Sequence, residues 1–416
     1  MAVAAVMALA LLASCGGGGT GDVASSTGSS GDSGGVGSGG TGSYTSGTIS
    51  GLGSIIVNGV RYSVNGAHIE DDAGNVLTDT NGLGLGMTVE VSGSAAVPSA
   101  VAGGLATASA TVVRYASALV APIEQGPDSA CSCLIAQGQK VTYTATTVMP
   151  SQLRRGDVIE VYGRANLGDR ALAASRIDVV TDGRSLKLAG FVPATGGLDT
   201  TAKTISVYGP SNPPTLGGAA PLVLHYSRAD QVSALSALAE HGLPVRVWFD
   251  AQGQLQRLAV DQPLVSDRDE ARVEGRVTAT SRSERRVAIS GSWVDASALD
   301  DATLDKLQVG VEVLAEGRLV KGTLVVSHVH LDGEDDDEED GAEGGLQLHG
   351  KPENPQAIGS NQGTMVLRGV TVLFNLSASP SMAQLNVLQC VEAHGSGFDS
   401  QGRLVATQVE ADDSCH

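Results

Sequence analysis

Aromatic side chains are nearly missing from this sequence: Phe, Trp and Tyr together make up 3% of 416 residues. Any core must therefore be built from Val, Ile, Leu and Ala. Basic charge is also scarce, with 26 Lys and Arg against 45 Asp and Glu, a formal net charge of −19. Phosphate binding needs a basic face, so this balance excludes nucleic acid as a partner and discourages charge-driven adhesion to anionic lipid. No apolar run reaches the roughly 20 residues that a membrane-spanning helix requires. Histidines number eight and are scattered. No Gly-x-Ser-x-Gly elbow, His-Glu-x-x-His pair or phosphate loop occurs. A converged catalytic set is thus not expected, the chain reads as a non-enzyme, and no cofactor is implied.

What the sequence does have is glycine, 55 residues of it, and a segment that is written five times. "LGLGMTVEVSGS" returns as "LRRGDVIEVYGR", "AEHGLPVRVWFD", "LQVGVEVLAEGR" and "LNVLQCVEAHGS". Aligned on the first of the repeat's two shared glycine positions, the copies carry Gly86, Gly156, Gly242 and Gly310, with Leu388 in the last. Three residues earlier stand Leu83, Leu153, Ala239, Leu307 and Leu385. Three residues later an alternating pair begins: Val89/Val91, Ile159/Val161, Val245/Val247, Val313/Ala315 and Val391/Ala393. A closing glycine follows at Gly93, Gly163, Gly317 and Gly395. Period-two apolar residues put one face of a strand on a core, and flanking glycines allow turns with positive φ.

A turn and a return strand follow each copy, as in "NLGDRALAASRIDVV" or "VKGTLVVSHVHLDG", and hairpin-like material precedes it. Before the repeated strand lies a turn or short helix, clearest in "SRADQVSALSALAEHG", where Val232, Leu235 and Leu238 share a face. The repeat spacing, about 70 to 85 residues, exceeds the 20–50 of a solenoid unit and suits a small autonomous domain. The expected fold class is mainly β: tandem small OB-like β-barrel modules with short helices, after a disordered N-terminal tether. The modules fall at 47–116, 117–182, 183–264, 265–333 and 345–416, with an acidic linker at 334–344.

The N-terminus supplies an address. "MAVAAVMALALLASCGGGGTGD" opens with an apolar run suited to a signal-peptide core. Its end, Leu12-Ala13-Ser14-Cys15, resembles the bacterial lipobox, whose cysteine becomes lipidated. No Lys or Arg precedes the run. Gly17, not Asp, stands at the second position from the cysteine, which by the Gram-negative sorting rule implies the outer membrane. Residues 1–15 thus read as signal peptide, and 16–46, almost wholly Gly, Ser, Thr and Asp, as a flexible tether.

The first module carries "GSIIVNGVRY" and, downstream, "LGLGMTVEVSG". These stretches resemble the bacterial envelope family known as domain of unknown function 5666. The resemblance is closest over 47–115 and weakens across the other modules. Module three departs most, with "PSNPPTLGGAAP" inserted and Arg246 where others carry Glu90 or Glu160. Such proteins are typically lipoproteins with tandem copies, which agrees with the lipobox and tether; the family brings no established catalytic residues.

Four cysteines remain once Cys15 is lipidated, an even count for an oxidising compartment. Cys390 and Cys415 flank the last hairpin and are candidates for a bridge. Cys131 and Cys133 are either joined in a very small ring or left as two thiols in an exposed loop. His328 and His330 lie two apart on a strand near Asp332 and an acidic run at 334–340, which suggests a transition-metal site. An outward polar strand edge explains the same pattern. An EF-hand template started at Asp336 meets Gln347 where a bidentate Glu is needed, and fails. Arg155-Gly156-Asp157 matches the integrin tripeptide only because Gly156 is the repeat's own turn glycine.

The expected function is a non-enzymatic, lipid-anchored cell-envelope protein with a multivalent binding or structural role, its ligand an envelope protein or a glycan. The alternative is a periplasmic metal- or cation-binding protein using His328, His330 and the acidic linker.

Overall fold

The repeated strands hold the core. All ten residues of the alternating pairs, from Val89 and Val91 through Val391 and Ala393, are buried. The leading residues Leu83, Leu307 and Leu385 are buried too, and Leu153 packs against the core's edge. In the computed structural model the described residues are 42–77, 80–100, 104–210, 212, 220–237, 242–260, 267–290, 292–331, 345–377 and 380–412. The signal segment with Cys15, most of the tether, Leu238, Ala239, the acidic linker with Asp332, and Cys415 lie outside them.

The protein is mainly β, with small five-strand barrels and few short helices. In module 1 the opening strand Ser43–Leu52 pairs with Ile55–Val57 on one side and with the repeated strand Thr88–Gly93 on the other. Ile55–Val57 pairs with Val60–Ser63, which runs parallel to Ala106–Tyr115, and that strand returns to Thr88–Gly93. The circuit 1-2-3-5-4-1 is the OB arrangement. Module 2 closes the same circuit with Leu119–Asp128, Cys133–Ala136, Gln139–Thr142, Val158–Asn166 and Ala171–Val179. In module 4 the parallel contact shrinks to one pair, Asp295↔Val325.

Both glycine positions of the repeat have structural reasons. Gly86, Gly156, Gly242 and Gly310 all have positive φ, between +76° and +98°. Gly86, Gly156 and Gly310 donate their N–H to Ile49, Ile123 and Val277 of the opening strands, at 2.8–2.9 Å. Leu388 needs no such conformation. The helix Met382–Leu385 before it ends through Asn386, and the N–H groups of Val387 and Leu388 both reach the Gln384 carbonyl. The closing glycines mark a β-bulge: the register shifts at Ser92/Gly93, Tyr162/Gly163, Glu316/Gly317 and His394/Gly395. The short helices also stand where expected, before the fourth strand. Asp301–Lys306 is capped by Asp300, whose Oδ1 accepts from Thr303 N at 2.7 Å, and Ala229–Ala237 buries Val232 and Leu235.

The modules are not independent beads. Opening strands pair across module boundaries, because a long bent strand leaves a free edge beyond each half of its own ladder. Ser43–Ser46 runs parallel to Glu270–Val273 of module 4, and Gly51–Leu52 runs parallel to Gln347–Leu348 of module 5. Leu119 and Val120 of module 2 pair with Leu188 and Lys187 of module 3. The cores merge accordingly: one apolar cluster spans modules 1 and 5, another modules 2 and 3, and Tyr44 of module 1 joins that of module 4. The first strand begins at Ser43, inside the stretch read as tether. Its Ser43 and Thr45 are buried between two strands, and Asn58 Nδ2 donates to Thr45 Oγ1 at 3.0 Å.

Candidate functional site

His328 and His330 lie on the strand Thr323–Leu331, both exposed. His330 Nε2 is 3.7 Å from Glu316 Oε2, and His328 Nδ1 is 3.1 Å from Ser327 Oγ. Asp332, the third expected ligand, lies outside the described residues. Among the described residues no three His, Cys, Asp or Glu side chains form a metal-holding group. Cys131 and Cys133 are joined as a disulfide at the tip of the hairpin between Leu119–Asp128 and Cys133–Ala136. Cys390 is buried and disulfide-bonded; Cys415, its expected partner, lies outside the described residues.

Charged side chains gather where modules meet. Lys187 of module 3 has only 5% of its side chain exposed; its Nζ is 3.0 Å from Asp72 Oδ2 of module 1 and 4.0 Å from Glu160 Oε1 of module 2. Burial pushes the Lys187 ammonium below the ordinary lysine value, against the pull of Asp72 and Glu160. Arg246, the residue that departs from the repeat's glutamate, faces the same Asp72 at 3.6 Å. A second junction centres on Arg164 of module 2. It donates to Thr48 Oγ1 of module 1 at 3.0 Å, to Glu312 Oε1 of module 4 at 2.9 Å, and to Glu274. Ser175 Oγ donates to the Gly86 carbonyl at 2.6 Å, so module 2 also grips the turn glycine of module 1.

A third junction is open to solvent. Between modules 1 and 5 lies a cleft of about 420 Å³. Arg61 crosses it to Glu392 at 2.9 Å, and buried His349 holds Asp412 Oδ2 at 2.8 Å, with Cys390 Sγ 3.4 Å from the same ring nitrogen. Gly53, at φ +129°, lies against His349: a Cβ there would come within 2.8 Å of its carbonyl oxygen. Around these two ion pairs stand Ser54, Ser63, Asn65 and Thr107.

None of these junctions is marked in the sequence. Lys187, Arg61 and Arg164 sit at polar positions of strands, a pattern identical to that of a solvated face. Only the odd placement of a lysine between two leucines in "LKLAGFV" hints at burial.

Elsewhere in module 1, Arg114 donates to Glu70 and holds its carboxyl below the ordinary value, against desolvation and with help from His68. A folded pKa below the unfolded one, roughly 4.3, gives stability that is present above that value and lost as pH falls through the folded pKa. In Arg114→Ala the Glu70 carboxyl is expected to titrate nearer its ordinary value. Because Arg114 is 42% exposed, the cost at neutral pH, after discounting for solvent screening, is only about 0.5 kcal/mol. A carboxyl-detected NMR titration of both proteins checks the shift.

Residues 122–178 match the family described as Domain of unknown function (DUF5666). The matched stretch covers most of module 2, from its opening strand to its return strand, whereas the sequence reading put the closest likeness in module 1. The family's tandem use and lipoprotein character are not part of that match. No curated protein matches the chain.

Proposed function

We propose that this is a non-enzymatic, lipid-anchored protein of the bacterial cell envelope, whose five barrel modules form a rigid binding or structural platform. The observation that carries the reading is the pairing of opening strands across modules, backed by ion pairs between them. A chain built only to link two points has no use for such docking. A platform that must hold several surfaces in fixed relation does, because fixed geometry lets weak individual contacts act together. Cys15 supplies the anchor and the Gly/Ser stretch a leash of about 30 Å.

The test is metabolic labelling with an alkyne fatty acid, followed by fractionation of the envelope. The full-length chain is expected to take up label and sediment with outer membrane, and Cys15→Ala to do neither. Label on the variant, or an unlabelled parent protein, would overturn the anchored reading.

A further inference from the structure

We propose that the cleft between modules 1 and 5 is a binding site for a neutral glycan. The inference rests on the envelope-platform reading and names the class of ligand that one of its surfaces takes. Three features of the cleft select the class. Its guanidinium is matched by a carboxylate, Arg61 with Glu392, and its other carboxylate, Asp412, lies 2.8 Å from His349 Nε2, so neither stands unpartnered to recruit a free ion. Eight of its nine lining side chains carry polar groups, Ala108 being the exception, so a ligand rich in hydroxyls finds several partners there. Its volume, about 420 Å³, lies in the range of small-molecule sites, about 300–1,000 Å³.

A sugar ring presents neighbouring hydroxyls, each both donor and acceptor. A carboxylate beside a guanidinium matches that pattern: one hydroxyl donates to Glu392 while its neighbour accepts from Arg61, and charge assistance strengthens both bonds. Asn65 adds an amide, and Ser54, Ser63 and Thr107 add hydroxyls with the same dual character. No Phe, Tyr or Trp side chain lines the cleft, so recognition proceeds mainly by hydrogen bonds, and single-site affinity is correspondingly low.

The site belongs to the assembled protein. Arg61 and Thr107 are neighbours in the parallel pairing of Val60–Ser63 with Ala106–Tyr115, while Glu392, His349 and Asp412 come from module 5. The strand pairing Gly51↔Gln347 and Leu52↔Leu348 brings the two sets together. It then runs into Gly53, where the missing side chain leaves room for His349. The two glycine-dependent features, turn and close approach, thus serve the cleft as well as the fold.

Saturation-transfer NMR and calorimetry on the full chain, with diacetylchitobiose, cellobiose and digalacturonate as probes, test the proposal. Binding of at least one neutral disaccharide is expected, with digalacturonate weaker. Asn65→Leu/Thr107→Val, two exposed rim residues outside the ion pairs, is expected to weaken binding about tenfold while leaving thermal unfolding unchanged. The proposal is overturned if neither neutral sugar binds, if the double variant binds equally well, or if digalacturonate or an unstructured control peptide binds more tightly. Fatty-acid labelling at Cys15 is independent of all these outcomes, so a glycan failure leaves the anchored reading standing and the reverse also holds.

Discussion

Gly163→Ala is expected to destabilise the protein by about 3–5 kcal/mol, one share from backbone strain and the other from overpacking. Gly163 has φ +154° and sits at the bulge of the repeated strand, where an added Cβ would lie 2.1 Å from the Ala173 carbonyl oxygen. That oxygen belongs to the return strand, held in register on both sides of the bulge, so it cannot move aside without breaking ladder bonds. Gly93 and Gly317 face the same obstruction, with Ser109 O at 2.2 Å and Val325 O at 2.0 Å, but without the positive φ. Their alanine variants are therefore expected to lose somewhat less. Gly168→Ala is the control: a Cβ there meets only Asn166 Oδ1, at 3.4 Å. Calorimetric unfolding of the four variants gives the order; a Gly163→Ala midpoint equal to that of Gly168→Ala would show that the bulge does not constrain the strand.

The same glycines show how far the sequence could be read. Their spacing, with the alternating Val and Ile residues, was enough to find the strand, the turn before it and its buried face, because each depends on contacts within one module; the closing glycines, expected at turns, mark bulges instead. Leu388 could be recognised as an exception, yet its reason lay in a helix end that the repeat did not foretell. The pairing of modules was not legible. Whether the outer edge of Ser43–Ser46 meets water or Glu270–Val273 leaves no mark on either strand, since both edges use backbone groups that every residue carries. The short polar residues Ser43 and Thr45 read as tether, although a neighbouring strand buries them. The cleft was illegible for a related reason. Its residues come from the first and last modules, and at strand level Arg61 and Glu392 look like ordinary outward-facing charges. Histidines singled out for their spacing, His328 and His330, proved exposed on one strand, while His349, which the spacing did not single out, is buried beside a carboxylate.

Lys187→Met is expected to cost about 3 kcal/mol, the low end for removing one partner of a buried ion pair. Met fills much of the lysine's volume, so little of the loss comes from packing. It comes from Asp72, 8% exposed, and Glu160, 13% exposed, which lose the ammonium between them. Arg246, 3.6 Å from Asp72, and Arg184, 2.8 Å from Glu160, retain part of the compensation and hold the figure down. Because burial already keeps the Lys187 ammonium below its ordinary pKa, the two carboxylates do not fully offset its desolvation in the native protein. Removing the nearer carboxylate as well should therefore do better than the single variant: Lys187→Met/Asp72→Leu is expected to recover part of the loss, with Glu160 still facing Arg184. The damage should also be local. Lys187 pairs through its backbone with Val120, so hydrogen exchange in Lys187→Met is expected to quicken first where modules 2 and 3 join, at Leu119, Val120 and Leu188, before it does so at Val313 or Ala315 of module 4. Uniform quickening, or a double variant no more stable than the single, would mean that the charge cluster does not hold the module 1–2–3 junction.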